Sequence, residues 1–290
     1  MPTVRTIKLN TGTPSSPSWT ELTLGGGGGG KPMSVSIGWV ASDGVDIVVD
    51  SSMDLGAVIN AQISNLFMGG SIIIREGSYN LKTSIDMREG VDVLGCGSKT
   101  AISLASPGSK YVSFGPNCNR AKFGNVKLGS YSSNAGGTNG ALIDVAGSGN
   151  SVCNLYFHEN QLSSADLISV TGNQNQIINL PNINGAGRIL ISGSENLVHG
   201  VSYRTHTNYT FNMVVSGNSN IVSENVLSGI SITGTATKNS ISKNVVRNTY
   251  QSITTDATAK TNLIMGNVTG GGSASVVDGA SGQNTLLGNI

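Results

Sequence analysis

Residues 217–268 read GNSNIVSENVLSGISITGTATKNSISKNVVRNTYQSITTDATAKTNLIMGNV, and one phrase recurs in them: Asn220/Asn225/Val226, Asn239/Asn244/Val245 and Asn262/Asn267/Val268. The pattern is N-x-h-x-x-N-h, with h aliphatic, and a fourth copy stands at Asn284/Asn289/Ile290. Working back toward the N-terminus, Asn150, Asn175 and Asn196 continue the phase in units one residue shorter. All seven leading asparagines, 19 to 25 residues apart, have an aliphatic residue two positions later: Val152, Ile177, Val198, Val222, Ile241, Ile264 and Leu286. A fixed period of this length is the mark of a stacked repeat architecture.

Upstream of the phase asparagine, five units carry an alternating segment that ends in glycine: Ile143/Val145/Gly147, Ile168/Val170/Gly172, Ile189/Ile191/Gly193, Met213/Val215/Gly217 and Ile230/Ile232/Gly234. Period-two alternation points every second side chain to one side of a strand. One coil therefore reads strand, Gly turn, Asn, strand, Asn turn. Sharp corners favour φ > 0, which glycine and asparagine tolerate best, so the corners are expected to select them. Asparagines at equivalent corners can also form amide ladders along the stack, as identical residues do at cross-β spacing. The fold expected is all-β, a right-handed single-stranded parallel β-helix. At roughly 22 residues and about 4.8 Å per coil, residues 71–290 would make roughly ten coils and a rod about 50 Å long. A leucine-rich repeat would need a Leu-x-x-Leu-x-Leu signature, and a propeller a longer unit; neither is present.

Composition agrees. Glycine, at 40 of 290 residues, is about twice its ordinary usage of about 7 %, while charged residues fall to 11 % against about 25 %. Disorder does not explain this, because 38 % of residues are hydrophobic and cluster regularly. A net charge of +1 with scattered Lys and Arg gives no basic stripe for phosphate, so nucleic-acid binding is not expected. Cys96, Cys118 and Cys153 are odd in number and lack metal spacing; they read as small buried residues. No stretch approaches the ~20 apolar residues of a membrane span, and MPTVRTIKLN lacks the apolar core of a signal peptide.

Six glycines, Gly25 to Gly30, separate an arm from the body. We read residues 1–30 as an N-terminal arm with a Gly-rich hinge, 31–70 as lead-in strands and a capping helix, and 71–290 as the β-helix. Within the arm, VRTIKLN and WTELTL alternate and predict two short strands around a turn at Pro14 to Pro17. Residues 51–68 place Leu55, Val58, Ile59, Ile63, Leu66 and Phe67 at helical spacing. A helix there would cover the open end of a solenoid, whose first coil otherwise exposes apolar surface and unpaired strand edges.

The segment Leu55 to Gly97 resembles the start of pectate-lyase-like β-helix domains found in phage tailspikes and polysaccharide-acting enzymes. In that family a helix is followed by two glycines, a strand, a Gly-x-Tyr turn and a Gly-Val-x-Val-x-Gly-x-Gly element. Here those positions are Val58 to Ile63, Gly69 and Gly70, Ser71 to Ile74, Gly77 to Tyr79, and Gly90 to Gly97. Arg75-Glu76 stands where the family often has proline. Tailspikes also append a trimerisation domain, whereas this sequence stops at Gly288-Asn289-Ile290, inside a coil. An open coil edge there would call for a partner.

Glycoside hydrolysis needs two carboxyls on one face, and lyases of this fold need a base with a cation or calcium carboxylates. In the repeat region Glu159 and Asp166 could converge across a turn, though nothing in the sequence forces it and solvated turn carboxylates explain them more simply. Asp144 faces Ser169 in the next coil, not an acid. His158, His199 and His206 show no metal spacing and no Ser or Cys partner. Asp43, Asp46, Asp50 and Asp54 read as loop and helix N-terminal charges. No metal or cofactor is expected. Carbohydrate binding needs only aromatic platforms and polar donors on a rigid face. Its best candidate is Tyr203, Arg204, His206 and Tyr209, on a longer connection between coils, with Tyr156, His158 and Arg188 adjoining it; the bland alternative is that these aromatics cover a corner of the stack.

The sequence and the resemblance together imply a phage virion protein of tail-fibre or tailspike type. Its partners would be other virion proteins, through residues 1–30, and a host surface polysaccharide, through the β-helix; the tailspike resemblance further implies a homotrimer. The alternatives are a polysaccharide lyase or glycosidase on the same scaffold, or an architectural virion component without glycan affinity.

Overall fold

The computed structural model describes residues 5–10, 19–24, 33–38, 46–48, 53–66, 69–105, 110–129, 141–204, 210–247, 253–270 and 276–290, with backbone alone for the first four segments and for 158–165 and 184–186. It is a right-handed parallel β-helix in which each turn contributes to three sheets.

The first sheet follows the phase asparagine. Its rungs begin at Gly70, Val91, Lys122, Ser151, Gln176, Leu197, Ile221, Ser240, Leu263 and Thr285. The expected column of aliphatics is there: Val152, Ile177, Val198, Val222, Ile241, Ile264 and Leu286 are successive register partners. All but Leu286, on the last rung, are fully buried. The second sheet follows the second corner and includes Val226, Val245 and Val268 in register. The third sheet holds the Gly-ended strands, with rungs beginning at Ile85, Val112, Ile143, Ile168, Ile189, Met213, Ile230, Ile253 and Val276. Nine such rungs bound about eight full turns, slightly fewer than an even 22-residue spacing suggests. Long connections account for the difference: fourteen residues intervene between Leu128 and Ile143.

The corners work differently from the expectation. Left-handed backbone falls on the residue before most of these asparagines: Gly149, Gln174, Glu195, Ser219, Lys238 and Thr261 before the phase position, and Glu224, Lys243, Gly266 and Gly288 before the second. The asparagines are selected for their amides. Asn220 Oδ1 accepts from the Asn196 N–H at 2.8 Å, and its Nδ2 donates to the Gly193 carbonyl at 3.0 Å. Asn239 and Asn262 repeat this on the coil before them, reaching the carbonyls of Gly217 and Ala236. The second-corner ladder, Asn225, Asn244, Asn267 and Asn289, does the same for Val198, Val222, Ile241 and Ile264. At a corner the strand ladder breaks, and buried backbone groups still need partners. An amide offers an acceptor and donors in one uncharged side chain. In earlier coils Asn125, Asn154 and Asn179 do take φ > 0, with side chains linked at 2.7 and 2.6 Å.

At the third-sheet corner Gly234 takes φ +62° as expected, but Gly172, Gly193 and Gly217 are not there for φ. A Cβ on Gly172, Gly193 or Gly217 would lie 1.8–1.9 Å from the carbonyl oxygen of the matching glycine one coil back, so glycine is required by close approach of backbones.

Helix α1 spans Leu55–Asn65 and caps the stack as expected. Leu55, Ile59, Ile63 and the following Leu66 are buried in the core. Asp54 is its N-cap, accepting from the N–H groups of Gly56, Lys82 and Thr83. Asn60 donates to the Ser84 carbonyl at 2.8 Å and accepts from the Asp86 N–H at 2.9 Å. The helix thereby satisfies the free edge of the third sheet's first rung, Ile85–Met87. Further toward the N-terminus, Met33–Gly38 pairs in parallel with Gly70–Ile74, and Arg5–Asn10 pairs antiparallel with Trp19–Leu24.

Candidate functional site

The three corners of the stack are not equivalent. The two asparagine corners vary by a few residues at most. The connection between the second and third sheets runs from Ser228 alone, between Leu227 and Gly229, to the fourteen residues after Leu128. Length variation on a rigid scaffold concentrates where side chains are free to serve function. This corner and the sheet faces beside it form the candidate site.

Tyr203 lies on it but points inward. It is 2 % exposed, and its ring stacks on Phe211 with centroids 5.8 Å apart. The ring belongs to the core, so the expectation of a surface platform at this position is corrected. Parity shows why: Tyr203 follows buried Val201 by two residues. Arg204 is exposed, and its N–H donates to the Ile183 carbonyl at 2.9 Å, so its backbone extends the second sheet. His206 and Tyr209 lie outside the described residues.

Of the two acidic candidates, Asp166 is the register partner of Arg188 and forms an ion pair with its Nε. Glu159 lies on the same strand, Ser151–Val170, and its side chain is outside the described set. The structure thus gives Asp166 a cationic partner. Asp144 stands between Ser113 and Ser169, as expected, and pairs with Lys110. Two cations and two carboxylates so neutralise one another along the edge of the third sheet.

Contrary to expectation, the structure gives His199 a serine partner. His199 and Ser223 are register partners on the first sheet, with Nδ1 3.3 Å from Oγ. His199 Nε2 lies 3.8 Å from a Glu224 oxygen, and Lys243 Nζ lies 3.7 Å from the other. The order Ser, His, Glu matches a nucleophile relay. The neighbouring N–H groups of Glu224 and Asn225 are taken by Ser242 and Asn244, so neither is free to stabilise an oxyanion at Ser223. Register pairing one coil apart was the signal that could have found this group.

Burial pushes the Cys118 thiol up to about 11 and raises that of Cys153, so these two are inert core residues; Cys96 is exposed, contrary to expectation. Among the described residues no cluster of His, Cys, Asp and Glu could hold a metal ion, and no helix is long and apolar enough to cross a membrane.

The outward face of the second sheet is the part of the site with a defined chemistry. Lys127 pairs with Tyr156, and Tyr156 with Asn182; Ser202 precedes Tyr203, the partner of Ile183. Their neighbours Val126, Leu128, Leu155, Phe157, Ile183, Val201 and Tyr203 are buried. These four side chains therefore face outward in one column.

No protein-family model and no curated protein sequence matches this chain. Solved structures do. The tailspike protein of E. coli bacteriophage HK620, in complex with pentasaccharide, superimposes with a TM-score of 0.61 at 14 % identity, over 88 % of this chain and 57 % of that one. A single-substitution variant of the same tailspike, also in complex with pentasaccharide, gives 0.63 at 14 % identity with the same coverage. The chain thus spans a little over half the length of the tailspikes it matches. At this identity the likeness establishes the tailspike-type β-helix fold.

Proposed function

We propose that this chain is the β-helix part of a phage virion protein of tail-fibre or tailspike type, and that it contacts host surface glycan. The observation that carries the reading is the superposition, over 88 % of the chain, on a tailspike in complex with pentasaccharide. Three further features support it. Asparagine ladders tie successive coils together, the surface is built from amides and hydroxyls, and one corner carries nearly all the length variation. Arg204, with His206 and Tyr209 on the same connection, contributes to the contact surface. Tyr203 supports it from the core.

Residues 1–30 attach the chain to other virion proteins in this reading, and three copies associate. Outward apolar side chains support association, since Ile221, Met265 and Val268 are each more than a third exposed on the later coils. Light scattering of the purified chain tests the trimer: three times the chain mass is expected, and a monomer contradicts it.

The test of the glycan reading is incubation with bacterial surface polysaccharides, measuring retention and fragment release together. Retention without release is expected. Release abolished by Glu159→Gln or Asp166→Asn would instead make the chain a polysaccharide-cleaving enzyme. Neither retention nor release would leave an architectural virion component.

A further inference from the structure

We propose that the outward column Lys127, Tyr156, Asn182 and Ser202 binds an extended acidic polysaccharide laid parallel to the stack axis, about one sugar to a rung. The inference rests on the glycan-contact reading above and specifies its face and ligand class.

Successive rungs of a parallel stack advance by about 4.8 Å, close to the length of one pyranose in an extended chain. A glycan lying along the axis therefore meets an equivalent position with each sugar. The Tyr156 ring offers an apolar face and a hydroxyl, the combination that pyranose rings stack on. Among the described residues, no Phe, Tyr or Trp occupies an outward position on the other two sheets.

Asn182 Oδ1 is buried and has no hydrogen-bond donor among the described residues. A buried acceptor without a donor is costly, and rotation of the amide toward the outer face lets a sugar hydroxyl supply one. Lys127 has no carboxylate within ion-pair distance among the described residues, whereas Lys110 and Arg188 on the adjoining edge are both paired. A half-buried ammonium without a counter-charge selects a sugar that carries one.

The column also has ends. Ala101 is the register partner of Lys127 on one side, and Val226 that of Ser202 on the other, followed by Val245 and Val268. The unbroken polar run from Lys127 to Ser202 spans four rungs, with Ala101 separating it from Ser78, and its span sets the ligand length.

The test screens the full chain against an array of bacterial O-antigen and capsular oligosaccharides. It then measures affinity for the best binder, its carboxyl-reduced form and a length series. Tyr156→Ala, Lys127→Ala and Asn182→Ala should each weaken binding about tenfold or more with unchanged circular dichroism, while Val245→Ala should not. Affinity should climb to about four sugars and level off, and carboxyl reduction should abolish it. Variants that bind like the parent overturn this face while leaving the glycan reading intact. Undiminished binding of the reduced glycan overturns the acidic ligand. A parent chain that binds no glycan overturns both the face and the reading it rests on.

Discussion

Removing the Asn220 side chain strands two backbone groups at once: the Asn196 N–H and the Gly193 carbonyl, one coil back. Each buried group left without a partner costs about 1–3 kcal/mol, so Asn220→Ala should lower unfolding free energy by more than a typical surface change, read by urea denaturation. Ser219, its neighbour, holds the left-handed corner, so Ser219→Gly should be neutral or stabilising. If the asparagine were present for its backbone conformation, the two results would be exchanged. Glycine at the third-sheet corner has the opposite requirement. Gly193→Ala puts a methyl 1.8 Å from the Gly172 oxygen, and the backbones must part; a loss of about 1–3 kcal/mol or more is expected. A Gly193→Ala protein as stable as the parent would refute the close-approach account.

At the scale of elements, α1 is held to the stack through Asp54 and Asn60. Burial pulls the Asp54 carboxyl up, but hydrogen bonds from Thr83, Lys82 and Gly56 outweigh it and hold the group below its ordinary value. A folded-state value below the unfolded one contributes stability that is fully present above about pH 4 and is lost as pH falls through the lowered value. Asp54→Asn should therefore flatten the acid limb of a stability–pH curve, and an unchanged limb would remove Asp54 from the docking. This helix was legible from its spacing, as were the five glycine-ended strands of the third sheet. The seven-fold phase, asparagine plus aliphatic, placed the first sheet because both the inward residue and the buried amide recur once per coil. The site was less legible. Tyr203 drew attention because it stands near other aromatics in the chain, yet its parity with Val201 puts it inside; Tyr156, between Leu155 and Phe157, faces out by the same rule. Which side chains share a face depends on parity and on coil length, and coil length varies most at the corner where function is sought.

At the scale of the whole molecule, the proposed function gives the arm and the body separate tasks. Deleting residues 1–30 should abolish incorporation into particles and leave β-rich circular dichroism intact; incorporation without the arm would refute docking through it. Every functional statement about the body depends on one coil advancing one rung, whatever the number of residues it contains. Spin labels at outward positions of the first sheet measure that directly. Ser151, Gln176 and Thr285 lie on rungs of one column, and pulsed dipolar spectroscopy should give about 29 Å for Ser151 to Thr285 and about 24 Å for Gln176 to Thr285. Two narrow distances differing by one rung would bear the account out; equal or broadly scattered distances would contradict it.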